Sequence, residues 1–151
     1  MARSEPRLSH SEYYLSILPL LAQRGTCPRR RVAAIITDEE NHILSTGYNG
    51  VPKGVDHCIT SPCPGVGDTP GNSERCLAVH AEVNAVLQCS VLSRARTLYV
   101  SCTPCFSCAK MIANTNIKEV IVTEAYNDAR GLALFAKVGI RVHIFATQAK
   151  K

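Results

Sequence analysis

The 151-residue sequence predicts an α/β fold in three layers, α/β/α, around a five-stranded mixed sheet. Three observations carry this. The predicted elements run α-β-β-α-β-α-β-α-β. The first two strands are joined only by the turn Asp38–Asn41, which makes them an antiparallel hairpin. The later strands are joined through helices, so they should run parallel with right-handed crossovers.

Taken in order, Ser9–Gln23 is patterned as an amphipathic helix, with Ser9 or Ser11 as cap and Pro19 as an interruption. Arg31–Thr37 is apolar enough for a buried strand, and His42–Tyr48 returns beside it. Residues 49–75 are rich in Gly and Pro without an apolar period; a loop of that length is functional, stapled or mobile. Cys76–Ser90 predicts a mostly buried helix, Thr97–Cys102 a strand, and Pro104–Asn114 a helix with proline near its first turn. Lys118–Thr123 predicts a strand, Asp128–Val138 a helix closed by Gly139, and Ile140–Phe145 the last strand. The whole chain, 1–151, is expected to be one domain carrying the loop at about 49–75 as an insertion.

Composition narrows the function classes. An apolar fraction of 46% with 19% charged residues is that of a globular chain, not a disordered one. No stretch approaches the roughly 20 apolar residues a membrane span needs. Met1–His10 lacks the basic-then-apolar pattern of a leader, so a reducing cytoplasm is expected. There the eight cysteines point to metal or chemistry rather than disulfides. A net charge of +5 suits an anionic ligand such as a nucleotide phosphate and is too small to argue for nucleic acid.

The chemistry concentrates in His80-Ala81-Glu82 and Pro104-Cys105-Phe106-Ser107-Cys108. Zinc takes imidazole nitrogen and thiolate sulfur, and catalytic zinc sites use three protein ligands. Cys105 and Cys108 are three apart, one helical turn on one face, at a helix start that favours thiolate. His80 and Glu82 are about 200° apart on an ideal helix, so they share a site only over the helix end. A carboxylate in the apolar run around Glu82 is costly unless it has a task.

H-A-E followed by P-C-x-x-C resembles the cytidine/deoxycytidylate deaminase family, whose zinc-nucleobase signature this is. The likeness runs over nearly the whole chain. It is closest to the deoxycytidylate deaminases through Gly47-Tyr48-Asn49-Gly50, Asn84-Ala85, and C-A-K-M-I before N-I-K-E-V. The resemblance implies a cytidine-deaminase-like fold and hydrolysis of dCMP to dUMP and ammonia. It makes His80, Cys105 and Cys108 the zinc ligands and Glu82 the proton carrier. It further implies that the Ala81 N–H binds the ring O2, the Thr103 carbonyl the amino group, and Asn49 the sugar. A hexamer with dCTP and dTTP as effectors at Gly47, Tyr48, Asn49 and Gly50 is also implied. One departure is visible: Val32-Ala33-Ala34 stands where the family has V-G-A.

Six cysteines lie outside that motif. The hairpin brings Cys27 near His57 and Cys58, with Cys63 in reach. The resemblance implies a second, structural zinc on Cys27, Cys58 and Cys63, with His57 or Cys76 as fourth ligand. Cys89 and Cys102 are expected to be small buried hydrophobes. Among Arg29, Arg30 and Arg31, the sequence favours Arg31 for the phosphate, because it adjoins the first strand. Tyr126 and Asn127 follow a strand end, where parallel sheets line their ligands. A polynucleotide deaminase would share H-A-E and P-C-x-x-C but is disfavoured by 5% aromatics. A non-catalytic zinc module would have no use for Glu82.

Overall fold

The computed structural model describes residues 6–69, 74–125 and 128–145. Helix α1 (His10–Ala22) opens with a capping box: the Ser9 N–H donates to Glu12 Oε2 at 2.8 Å, and the Glu12 N–H donates to Ser9 Oγ at 3.3 Å. Pro19 was expected to shorten it, yet the helix runs through to Ala22. Burial of Tyr14, Leu15, Leu18 and Ala22 against the sheet offsets the bond Pro19 cannot donate.

Strands β1 (Ala33–Thr37) and β2 (Ile43–Tyr48) form the predicted antiparallel hairpin. Asn41 closes its turn with a left-handed φ of 64°, and its carbonyl accepts from the Tyr14 hydroxyl. Then come α2 (Ala81–Gln88), a single 3₁₀ turn at Leu92–Arg94, β3 (Thr97–Cys102), α3 (Phe106–Ala113), β4 (Glu119–Glu124), α4 (Ala129–Val138) and β5 (Arg141–Ile144). The strand order is β2-β1-β3-β4-β5. β1 is antiparallel to both β2 and β3, while β3, β4 and β5 run parallel, as the helical connections require.

Each strand divides its side chains between two layers. Ala33, Ile35, Tyr99 and Ile121 pack on α1. Ala34, Ile36, Leu98, Val100, Val120 and Val122 pack with Ala81, Ala85, Cys108, Ile112 and Phe135 from α2, α3 and α4. Among the described residues, no helix is long and apolar enough to cross a membrane.

The largest departure from the sequence reading is α2. It begins at Ala81, not Cys76, because the chain before it is extended. Gly50 and Val79 exchange backbone hydrogen bonds of 3.2 and 2.8 Å, so the residues leading to His80 are pinned to the end of β2. Gly47 allows α2 to sit directly on that strand: a Cβ there would lie 2.2 Å from the Ala81 carbonyl oxygen and 2.4 Å from the Ala85 nitrogen.

Candidate active site

Two helix starts face each other at the carboxyl end of β3. His80 is the N-cap of α2 and Cys105 the N-cap of α3, both in extended backbone (φ −69°, ψ 154° and φ −65°, ψ 166°). Cys108 lies one turn into α3. Because His80 is outside the helix proper, the angular mismatch with Glu82 disappears: the site lies over the helix end. A third glycine closes the arrangement. A Cβ on Gly131 would lie 2.8 Å from the Pro104 carbonyl oxygen, so α4 packs tightly on the turn that presents Cys105.

His80 Nδ1 is 3.5 Å from Cys105 Sγ and 3.4 Å from Cys108 Sγ, and all three donor atoms lie within 4.8 Å of one another. Bonds of about 2.0–2.3 Å in a tetrahedron put neighbouring donors about 3.6 Å apart. The residues therefore fit zinc in both donor chemistry and spacing. The Cys105 thiol is pulled down to about 4 by the Cys108 thiol and His80, while Cys108 is pushed up by Cys105 and by burial. The His80 imidazole is held above its ordinary value, mainly by Cys105.

Glu82 is only 4% exposed. Burial pushes its carboxyl up, against the pull of its own backbone N–H and of His80, and it reaches the Cys108 thiol. A buried acid beside three metal donors, its carboxyl pushed above the ordinary range, is suited to carry a proton.

Among the described residues one other group has donor atoms as close, Asp38, Glu40 and His42. It lies at the far end of β1. Asp38 there is already engaged by Arg94 Nη2 at 2.6 Å and by His42 at 3.4 Å. Its carboxyl stays below the usual range although burial opposes this, held down by the His42 backbone N–H and by the His42 and Arg94 charges.

Residues 8–124 match the model of the cytidine and deoxycytidylate deaminase zinc-binding region. The chain belongs to the cytidine and deoxycytidylate deaminase family. A deoxycytidylate deaminase of Mycobacterium phage D29 is 40% identical over 117 residues, covering 73% of this chain and 91% of that protein. The deoxycytidylate deaminase of Saccharomyces cerevisiae is 33% identical over 144 residues, covering 93% of this chain but 46% of that protein, so this chain spans about half its length. The dCMP deaminase of cyanophage S-TIM5, solved with dCMP and dUMP, superposes with a TM-score of 0.74 at 27% identity, covering 93% of this chain and 99% of that one. The family is a zinc-binding one, and the donor set here is suited to that metal.

The other residues singled out from the sequence fall into place unevenly. Ala81, fully buried, is the first residue of α2, where N–H groups have no intrahelical partner. Thr103 is buried at the turn from β3 to α3, its N–H donating to the Glu124 carbonyl at 3.1 Å. Asn49 is buried and already engaged: Oδ1 accepts the Val32 N–H at 2.8 Å, and Nδ2 donates to the Arg30 carbonyl at 2.9 Å. One N–H and one lone pair remain for a ligand. The Gly47–Gly50 run thus has architectural work: close helix packing at Gly47, the staple at Asn49, the bridge at Gly50. Tyr48 carries an exposed side chain, and its carbonyl accepts from Asn84 Nδ2 at 2.8 Å. Tyr126 and Asn127 lie outside the described residues.

Two expectations shift. The thiols of Cys58 and Cys63 interact, Cys63 and Cys76 interact, and Cys27 is within electrostatic reach of Cys58 and Cys76. His57 is an exposed residue, so Cys76 is the better fourth member of that group. Arg31, favoured from the sequence for the phosphate, is exposed and lies two residues before Ala33, which packs on α1. The extra methyl of Ala33 likewise points to the α1 layer, away from the zinc donors. Cys89 and Cys102 are buried, as expected, and burial raises the Cys102 thiol to about 11. In the run 29–31, Arg30 places Nη2 3.1 Å from Glu124 Oε2.

Proposed function

We propose that this chain is a zinc-dependent hydrolase that converts dCMP and water to dUMP and ammonia, supplying dUMP for thymidylate synthesis in the cytoplasm of a bacterium or a phage-infected cell. The observation that carries the reading is the buried Glu82 carboxyl beside three zinc donors at tetrahedral spacing. The two relatives named deoxycytidylate deaminase, and the cyanophage enzyme solved with dCMP and dUMP, support the choice of substrate.

In this reading His80, Cys105 and Cys108 hold the metal. When bound, zinc lowers the pKa of water to about 7 and so supplies a nucleophile at neutral pH. Glu82 takes one proton from the water that adds to C4 and delivers it to the ring N3, then moves the second proton from the new C4 hydroxyl to the amine, so that the C4–N bond breaks and ammonia leaves. The Ala81 N–H binds the ring O2, and the Thr103 carbonyl holds the amino group being lost. The remaining amide capacity of Asn49 serves the sugar. Tyr126 and Asn127 are further substrate-contact candidates in this reading.

A second zinc on Cys27, Cys58, Cys63 and Cys76 belongs to the same reading, as a structural staple for the long loop. So do a hexamer and regulation by dCTP and dTTP, which sedimentation and rate measurements with each nucleotide would test.

The substrate test is ammonia release from dCMP, deoxycytidine, CMP and 5-methyl-dCMP. The highest kcat/KM is expected for dCMP. A clear preference for deoxycytidine would overturn the assignment.

A further inference from the structure

The backbone ladder between β1 and β3 stops short of the start of β1. Its pairs run from Thr37 opposite Thr97 to Ala34 opposite Val100, and the next residues in register are Ala33 and Ser101. Val32 turns its N–H and carbonyl toward Asn49, so Ala33 turns its own toward β3. There a side chain meets them in place of backbone. The Ala33 N–H donates to Ser101 Oγ at 3.1 Å, and Ser101 Oγ donates to the Ala33 carbonyl at 3.3 Å. The Ser101 carbonyl is taken from the opposite side, by the Thr123 hydroxyl of β4 at 2.6 Å. A hydroxyl therefore joins β1 to β3 at the end of β3 that leads into Cys105.

The same stretch of β1 is held on its other side by Asn49. Oδ1 accepts the Val32 N–H at 2.8 Å, the Asn49 N–H donates to the Val32 carbonyl at 3.2 Å, and Nδ2 donates to the Arg30 carbonyl at 2.9 Å. A Cβ on Gly25 would lie 3.0 Å from Asn49 Oδ1, so the amide is also packed from behind. Thr123, Ser101 and Asn49 thus brace four strands in sequence across the sheet: β4 to β3, β3 to β1, and β1 to the end of β2. The zinc donors are seated by other means. His80 and Cys105 cap helices that pack closely through Gly47 and Gly131.

Ser101 is half-buried, and a hydroxyl can accept and donate at once. Ala33 is fully buried, so its N–H and carbonyl would be costly to leave without this partner. Loss of the hydroxyl frees the start of β1 to shift, and Val32 carries Asn49 with it. We infer that Ser101 is a positioning residue: through the Ala33 and Val32 backbone it fixes the Asn49 amide, and so governs the affinity for the nucleotide's sugar and not the rate of the chemical step. The inference rests on the deaminase reading above, in which Asn49 serves the sugar.

The test is steady-state kinetics for the wild-type enzyme, Ser101→Ala, Ser101→Cys, Ser101→Thr, Asn49→Ala and the double variant Ser101→Ala/Asn49→Ala. Ser101→Ala and Ser101→Cys should each raise KM by at least about threefold and keep kcat within about threefold. A thiol is close to a hydroxyl in shape but bonds weakly, so Ser101→Cys carries the test if Ser101→Ala fails to fold. Ser101→Thr retains the hydroxyl and should keep KM within about threefold of wild type. In the Asn49→Ala background, Ser101→Ala should change KM by less than about twofold, because the residue it acts through is gone. A merely structural serine would raise KM equally in both backgrounds. Smaller KM changes in Ser101→Ala and Ser101→Cys, a loss of kcat exceeding the rise in KM, a Ser101→Thr as impaired as Ser101→Ala, or equal effects in the two backgrounds would each overturn the inference. Because dCMP and deoxycytidine carry the same sugar, the series is read on whichever the wild type turns over with the higher kcat/KM. A preference for deoxycytidine would sink the proposed substrate and leave this comparison intact, so the two failures are distinguishable.

Discussion

Seven donor side chains divide into two groups built by opposite means. His80, Cys105 and Cys108 come from the starts of two helices packed on one sheet, and their donor atoms stand 3.4–3.5 Å apart along each N···S edge. Cys27, Cys58, Cys63 and Cys76 come from irregular chain, and interact through Cys63 and the charges around it. The first group inherits its geometry from secondary structure. The second lies in and beside a long loop with little regular structure. The first has the buried carboxyl of Glu82 beside it, within reach of the Cys108 thiol; in the proposed reading this marks the group for chemistry and the second for structure.

The largest effect is expected where the groups differ most. Glu82→Gln should lower kcat by about 10²- to 10⁴-fold, the usual contribution of a positioned acid–base group. Zinc measured by elemental analysis should stay bound at His80, Cys105 and Cys108. Near-normal deamination by this variant would remove the distinction between the two groups.

Next comes Cys63→Ser, because Cys63 interacts with both Cys58 and Cys76. Zinc should fall from two ions per chain to one. A ligand held at about 100-fold above its Kd stabilises by about 2.7 kcal/mol. Its loss should lower Tm by roughly 5–11 °C for a domain of this length. Thermal melting and elemental analysis on the same samples check both. One zinc per wild-type chain would leave the thiols as buried hydrophobes and end the comparison.

How much of this was legible in the sequence also differs between the groups. The hairpin and the helix crossovers follow from periodicity, and the donor group follows from spacing, because His80, Glu82, Cys105 and Cys108 are close in sequence to the elements that hold them. The start of α2 was misplaced by five residues. Nothing local marks Cys76–Val79 as extended; a bridge to Gly50, twenty-nine positions away from Val79, decides it. The same cause hid the choice between His57 and Cys76, since residues at the two ends of a long loop meet only through tertiary contacts.

Both groups are also approached closely by a glycine, which allows a more graded contrast. A Cβ on Gly47 would press on the backbone of Ala81 and Ala85 at 2.2 and 2.4 Å, and a helix start locked on a strand cannot give way. A Cβ on Gly65 would meet the Cys76 nitrogen and Cα at 2.7 Å, in chain with no regular structure to hold it rigid. Gly47→Ala should therefore cost about 1–3 kcal/mol, the range for overpacking. It should also reduce kcat by displacing His80 and Glu82. Gly65→Ala should cost less and leave kcat closer to wild type. Urea melts with parallel rate measurements check the order; a larger loss for Gly65→Ala would mean that the loop is the more rigid of the two regions.

The smallest expected effect sharpens the second group itself. His57 sits beside Cys58 in sequence but is exposed, and its backbone carbonyl accepts from the Thr60 and Ser61 N–H groups at 2.8 Å each. Those bonds form a turn and do not need the imidazole. His57→Ala should therefore stay within about 0.5 kcal/mol of wild type, as exposed substitutions usually do. It should also keep two zinc ions per chain, while Cys76→Ser loses one. The reverse pattern, zinc lost with His57→Ala and kept with Cys76→Ser, would exchange the fourth ligand. It would also require the loop to turn its imidazole inward, toward thiols that are linked through Cys63.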